Sequence, residues 1–245
     1  MENYLEKGHE QEEDKEIKVD RSTEEMREGL SSCFDSFETN DRKRLSKALD
    51  LSLYLHSDQK DRSDGPYVNH ILRVAGTVIN TFKIRDVDVI AASFLHDSVE
   101  DQSEKISSLA DSGRGNHRDN AFSYIEENFG EGTSSIVSAV TNPEELDVLA
   151  EEEKNQAYVD HVLEAISDPK VFYVKFADFI DNALGIEGIG DPVRQRKLAK
   201  KYLPLYGIFL DRVSQDDIVI PDEVKEEITA KIVHVDNFVK SIVID

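Results

Sequence analysis

The chain has 245 residues, with 29 Lys and Arg against 51 Asp and Glu, a formal net charge of −22 at neutral pH. That balance argues against a protein that coats DNA or RNA, which needs a basic stripe, and against docking on an anionic membrane surface. It leaves room for a local basic pocket that takes a small phosphorylated ligand. A hydrophobic fraction of 39% is too high for a wholly disordered chain, and the length suffices for a real core. The single cysteine, Cys33, forms no intrachain disulfide and fits a reducing compartment. The first residues, MENYLEKGHEQEEDKE, lack the apolar stretch of a secretory signal, and no run approaches a membrane span. The expectation is a soluble, cytoplasmic protein.

Residues 1–21 are dense in acids, with Lys7, Lys15 and Lys18 as the only lysines, and read as a flexible acidic tail. Residues 22–245 read as one domain. Ser22 and Glu25 have the spacing of a capping box that opens a helix. Residues 41–56 place Leu45, Ala48, Leu49, Ser52 and Leu55 at helical spacing. A polar breaker, SDQKDRSDGP, fills 57–66. A helix is predicted over 67–82, with Ile71, Leu72, Ala75, Val78, Ile79 and Phe82 on one face, and another over 86–101. Residues 102–120, rich in Ser, Gly, Asp and Asn, read as a long loop. Helical signals return at 121–129, 133–140, 150–166 and 171–184, followed by a glycine-containing loop at 185–192 and helices at 193–213 and 222–242. Few segments alternate with period two, so the fold class is all-α.

Three places carry side chains with chemistry. His96 and Asp97 are adjacent at the end of an apolar run, and a continued helix puts Glu100 and Asp101 one turn further on. Three carboxylates at the negative end of a helix repel each other, and a divalent cation would remove that penalty. A solvated helix end is the plain alternative. His70 lies on the 67–82 helix, either as a ligand or as a core histidine with a satisfied hydrogen bond. Asp178 interrupts the apolar run Val174–Ile180, where a carboxylate is costly unless paired or metal-bound. Lys175 is its plain local partner, or a phosphate contact. Two imidazoles and two carboxylates without a thiolate suit Mn²⁺, Fe²⁺ or Zn²⁺ better than a structural zinc knuckle.

The order His70, His96-Asp97, Asp178 resembles the metal signature of the HD phosphohydrolase superfamily. Ser63-Asp64-Gly65-Pro66-Tyr67-Val68-Asn69-His70, the run from Ala92 to Asp101, and the run from Val174 to Asn182 are similar to three hydrolase motifs of the RelA/SpoT alarmone enzymes. Pro192 to Ala199 and Tyr206 resemble the helix that follows there. The likeness covers about residues 42–213, four motifs in order, and leaves no room for the synthetase domain of the long members. It implies a helical bundle with the metal between helices, and Mn²⁺ (or another divalent transition metal) as cofactor. It implies removal of the 3′-pyrophosphate from (p)ppGpp, giving GDP or GTP, by a stand-alone small alarmone hydrolase. It assigns the metal to His70, His96, Asp97 and Asp178, the water to Glu100 and Asp101, and the nucleotide to Arg62, Ser63 and Asn182. Beside that assignment, Arg62, Lys175 and Arg196 are the cations available to neutralise the pyrophosphate.

The sequence also departs from that pattern. Asp61 stands where the family has a second basic residue, Asp64-Gly65-Pro66 replaces Gly-Glu-Pro, and Ile71 replaces a proline. Ile180-Asp181 replaces leucine-histidine before Asn182, and Gly185 replaces a threonine. The metal set is complete while the base and ribose pocket is altered. Two other readings stand beside the alarmone hydrolase: an HD phosphohydrolase for another nucleotide or phosphorylated cofactor, and a non-catalytic nucleotide-sensing module. The 102–120 loop holds Arg114, His117 and Arg118, as a phosphate lid or a surface insertion. The last helix carries an apolar stripe, Val224, Ile228, Ile232, Val235 and Val239, that packs on its own core or contacts a second copy in a homodimer. The partner expected is a small-molecule nucleotide, with no nucleic acid and no membrane.

Overall fold

The computed structural model describes residues 21–61, 65–110 and 115–244. Among them run eleven α-helices and no strand; an isolated bridge joins Lys60 and Pro66. The all-α expectation holds. The acidic tail lies outside the described residues.

In chain order the helices are α1 (Arg21–Cys33), α2 (Thr39–Leu55), α3 (Val68–Gly76), α4 (Val87–Leu95), α5 (Ser98–Leu109) and α6 (His117–Phe129). Then come α7 (Glu131–Val140), α8 (Glu151–Ala165), α9 (Pro169–Ala183), α10 (Pro192–Val213) and α11 (Asp222–Ile244). Helix α3 runs on through a π-helical turn, Thr77–Thr81, so the predicted 67–82 helix is continuous but wider at its end.

Helix α4 is the centre of the bundle. Every residue from Val89 to Leu95 is buried, the pattern of a helix wrapped on all sides. It packs against α2, α3, α7 and α9. Asp86 starts it by accepting hydrogen bonds from the amides of Asp88 and Val89. Two further helices begin on Asp-Pro: Asp168 caps α9 and Asp191 caps α10, with proline in the first turn of each. There the missing proline N–H costs no intrahelical bond. A buried face of α9 is anchored by stacked rings. Phe176 lies between Phe172 at 4.9 Å and Phe209 at 5.4 Å, and Phe82 caps it at 5.6 Å. Phe179 stacks on Phe209 at 4.4 Å. That ladder fixes the rotation of α9, and with it the direction of Asp178.

Three expectations need correction. Ser22 does not open its helix, because α1 is already running at Arg21; the neighbouring Thr23 is buried and donates to Asn69. The 86–101 helix is two helices. Asp97, at φ −96° and ψ −2°, breaks the run, and α5 starts afresh at Ser98. Glu100 and Asp101 therefore occupy the first turn of α5, at the positive end of a helix, where the dipole favours their charge. The 102–120 segment is mostly helix: α5 continues to Leu109 and α6 begins at His117, with Asn116 as its cap. Ser107 and Asn120 are buried and bonded to each other across α5 and α6, the Asn120 side-chain amide donating to Ser107 Oγ at 3.2 Å, and Ile106, Ala121, Tyr124 and Ile125 are buried beside them. The apolar stripe of α11 is satisfied within the chain, since Ile228, Ile232, Val235 and Val239 are buried and α11 lies along α10.

Candidate metal centre

Helices α3, α4 and α9 meet at one end of the bundle, and each delivers part of a compact cluster. His70 comes from the second residue pair of α3, His96 and Asp97 from the α4–α5 break, and Asp178 from α9. The break itself has a use: it turns Asp97 back onto the imidazole of its neighbour. His96 Nε2 lies 3.0 Å from Asp97 Oδ2 and 3.9 Å from Asp178 Oδ1. His70 Nε2 lies 3.5 Å from each of the same two oxygens. The two Nε2 atoms are 3.3 Å apart. Both histidines are buried, and His70, His96 and Asp97 each offer a ligand atom within 4.8 Å of the others.

This donor set fits a single divalent ion. Two nitrogens each about 2.1 Å from one metal and at tetrahedral or octahedral angles lie roughly 3.0–3.4 Å apart, which is the separation of these two Nε2 atoms. Each imidazole is also held from behind. His96 Nδ1 faces the carbonyl oxygen of Ser93 at 2.9 Å, and His70 Nδ1 faces Asp181 Oδ2 at 2.7 Å. With the proton on Nδ1 in both rings, both Nε2 lone pairs point inward.

The imidazoles and carboxylates of the cluster pair with one another, and each shifts the other's titration. Burial opposes charge on Asp97, but the imidazoles of His96 and His70 outweigh it and hold the carboxyl well below the usual range. Asp178 is likewise opposed by burial, and His70 and Lys175 bring it to about 2. Burial works against charge on His70, yet its contacts with Asp178, Asp181 and Asp97 raise it well above its ordinary value. His96 is raised too: burial lowers it and Asp97 more than compensates. A metal and these protons compete for the same lone pairs, so binding releases protons.

The remaining site residues fall into place unequally. Glu100 accepts from the backbone and side-chain amides of Asn142, at 3.1 and 3.0 Å. Asp101 accepts from Gln59 Nε2 at 2.7 Å, and burial, with Asp97 and Glu100 nearby, pushes it up to about 6 against that hydrogen bond. Lys175 is buried, 3.7 Å from Asp178 Oδ2 and donating to the Val140 carbonyl at 3.3 Å. Burial disfavours its charge, but Tyr158, Asp178 and Glu100 around it keep it a cation. Asn182 donates to Asp178 Oδ1, so its amide is engaged in the cluster. Arg62, Ser63 and Arg114 lie outside the described residues. Arg118 is no lid: its guanidinium donates to the carbonyl of Asn142. Arg196 is exposed on the first turns of α10.

Three contributors were not assigned from the sequence. Tyr67 donates its hydroxyl to Asp97 Oδ2 at 2.5 Å, and burial and that carboxylate raise its pKa. Gln59 is itself braced: its carbonyl oxygen is 2.7 Å from His56 Nδ1 and accepts from Gln102 Nε2 at 3.1 Å. Asp181 supports His70 and is gripped by Arg73. Tyr67 sits three residues before His70, about one turn away, and that spacing is the signal that could have found it. The partnership of Gln59 with Asp101 spans 42 positions and had none.

The HD domain family profile matches residues 48–213. The chain belongs to the HD domain family, and the matched region holds every member of the cluster just described. The chain is 26% identical over 169 residues to the guanosine-3′,5′-bis(diphosphate) 3′-pyrophosphohydrolase of Aquifex aeolicus, 69% of this chain and 21% of that protein. It is 32% identical over 140 residues to the small hydrolase MESH1 of Danio rerio, which carries the same enzyme name, 56% of this chain and 66% of that protein. The chain thus spans about a fifth of the long relatives' length. A solved structure of a metazoan ortholog of SpoT that hydrolyzes ppGpp superposes with a TM-score of 0.57 at 20% identity, covering 80% of this chain and 94% of that one. That likeness establishes a shared fold.

Proposed function

We propose that this chain is a metal-dependent 3′-pyrophosphohydrolase of (p)ppGpp. The observation that carries the reading is the convergence of His70, His96, Asp97 and Asp178, with Glu100 and Asp101 in the first turn of the helix that starts on Asp97. The names of the relatives supply the substrate. A divalent ion, Mn²⁺ in this proposal, supplies Lewis acidity and a water of lowered pKa when bound.

The chain's own residues do the rest. The metal set is His70, His96, Asp97 and Asp178. Tyr67 and Asn182 hold the two carboxylates by hydrogen bonds to one oxygen of each. Asp101 takes the proton of the attacking water, because its pKa lies close to neutrality and Gln59 fixes its orientation. Glu100, held by Asn142, orients that water. The water oxygen bonds to the phosphorus on the 3′ oxygen, and the bond from that phosphorus to the 3′ oxygen breaks; the 3′ oxygen leaves with the electron pair and takes up a proton as the nucleotide's 3′-hydroxyl, while the attacked group is released as pyrophosphate. Lys175 neutralises charge on the transferred group, and Arg62 and Ser63, a few positions before α3 in the sequence, serve the substrate. The charge of −22 supports a small nucleotide rather than a nucleic acid as partner, and the lone cysteine supports a cytoplasmic setting. No helix among the described residues is long and apolar enough to cross a membrane.

One observation favours a different nucleotide. Asp61 is built into its loop, accepting from the amide of Gly65 at 3.0 Å, so an acid lines the region where the family pattern has a base. Product analysis over a nucleotide panel with Mn²⁺ separates the readings. Cleavage of ppGpp and pppGpp in preference to nucleotides lacking a 3′-pyrophosphate supports the proposal. Turnover confined to the latter contradicts it.

A further inference from the structure

Asp181 stands where the RelA/SpoT-type pattern has a histidine, and this chain puts the substitution behind a metal-ligand candidate. Its Oδ2 lies 2.7 Å from His70 Nδ1. Its Oδ1 accepts from Arg73 Nε at 2.6 Å, and Oδ2 accepts from Arg73 Nη2 at 3.0 Å. The carboxylate is 15% exposed and the guanidinium 45%. Helix α9 therefore approaches one imidazole from both sides. Asp178 faces Nε2, and Asp181, one turn later, faces Nδ1.

We propose that Asp181 is the outer carboxylate of the metal centre: it fixes His70 with its proton on Nδ1, presents the Nε2 lone pair inward, and thereby sets metal affinity. The inference rests on the metal-centre reading above. An imidazole protonated at Nε2 has no lone pair to give there, and the carboxylate removes that tautomer by accepting from Nδ1. A charged acceptor also makes the opposite nitrogen a better donor. His96 has a neutral acceptor in the same place, the Ser93 carbonyl, so the two imidazoles are unequal and His70 is the stronger ligand. Arg73 is the third member. Its two-pronged grip fixes the rotamer of Asp181 and offsets the charge added so close to Asp97 and Asp178.

The test is Mn²⁺ affinity of the full chain, by competition with a fluorescent chelator, with no nucleotide present. Asp181→Ala is expected to weaken binding by about 10- to 100-fold, the range for removing such a partner. Asp181→Asn is expected to fall between, because its amide oxygen still accepts. Arg73→Gln is expected to lose less than Asp181→Ala. If Asp181→Ala does not fold, the Asn and Arg73 variants carry the comparison. A second readout is the imidazole ¹⁵N spectrum of the Zn²⁺-loaded protein, which shows His70 protonated at Nδ1 in the wild type and a weakened Nδ1–H signature in Asp181→Ala. Wild-type affinity in both Asp181 variants, with Asp97→Ala losing the metal, overturns this inference alone. Equal, negligible binding by the wild type and Asp97→Ala overturns the metal-centre reading and this inference with it.

Discussion

Asp101 offers a prediction with a number attached. Burial lifts its carboxyl to about 6, with Asp97 and Glu100 adding to the lift and Gln59 drawing it down. If its carboxylate takes the proton of the attacking water, turnover follows the ionised fraction. A group of pKa about 6 is roughly one-tenth ionised at pH 5 and about nine-tenths at pH 7, so kcat rises close to tenfold between them. A bound divalent cation favours the carboxylate, so in the loaded enzyme the acidic limb falls at 6 or below, never above. Asp101→Asn removes the base without changing shape, and kcat is expected to fall by about 10²- to 10⁴-fold. The acidic limb should disappear with it. Gln59→Leu strips the one hydrogen bond that lowers Asp101, so its limb should move upward. The assay is pyrophosphate release at saturating Mn²⁺ and nucleotide from pH 5 to 8.5. Near-wild-type kcat in Asp101→Asn, or a limb of unchanged position in both variants, would refute the assignment.

Other consequences concern the frame that holds the site. Phe176→Ala empties the middle of the ring ladder beneath α9 and should cost about 3–5 kcal/mol of stability in urea unfolding. Gly132→Ala drives a Cβ into the Asp88 carboxylate, which Arg44 and Thr133 already hold; a loss of about 1–3 kcal/mol by thermal melting is expected, with the activity of the folded fraction retained. In metal-free protein, His70 is raised above its unfolded value, so its contribution to stability is fully present below about pH 6.5 and is lost as pH rises through the higher folded value. Stability of the apo form should therefore decline toward alkaline pH, and Asp181→Asn should flatten that decline. Mn²⁺ at 100 times its Kd should add about 2.7 kcal/mol, and a chelator should remove it.

The helices were legible because they rest on local signals. The apolar face of 41–56 announced α2, while the starts of α9 and α10 fell one or two residues earlier than predicted, because Asp168-Pro169 and Asp191-Pro192 cap and open those helices. The run 102–120 misled because its Ser, Asn and Gly residues suit loops when taken alone; only packing of Ile106 and Tyr124 makes helix there. The 86–101 break was equally hidden, since nothing in the composition of His96-Asp97 forbids a helix. The break sets Asp97 against two imidazoles and Tyr67, and one of those imidazoles comes from 27 positions upstream. The four ligand candidates were legible as residue types and order. What lay beyond reach was the support: Asp181 was visible only as a departure from pattern, and the brace of Gln59 by His56 only in three dimensions.

The central claim is that this cluster binds a metal and uses it to cleave a 3′-pyrophosphate. Incubation of the full chain with ppGpp and Mn²⁺, products resolved by anion-exchange chromatography, tests it most directly, with Asp97→Ala beside it. GDP and pyrophosphate in equal amounts are expected from the wild type, and neither from the variant. Intact ppGpp in the presence of protein shown to hold its metal would contradict it.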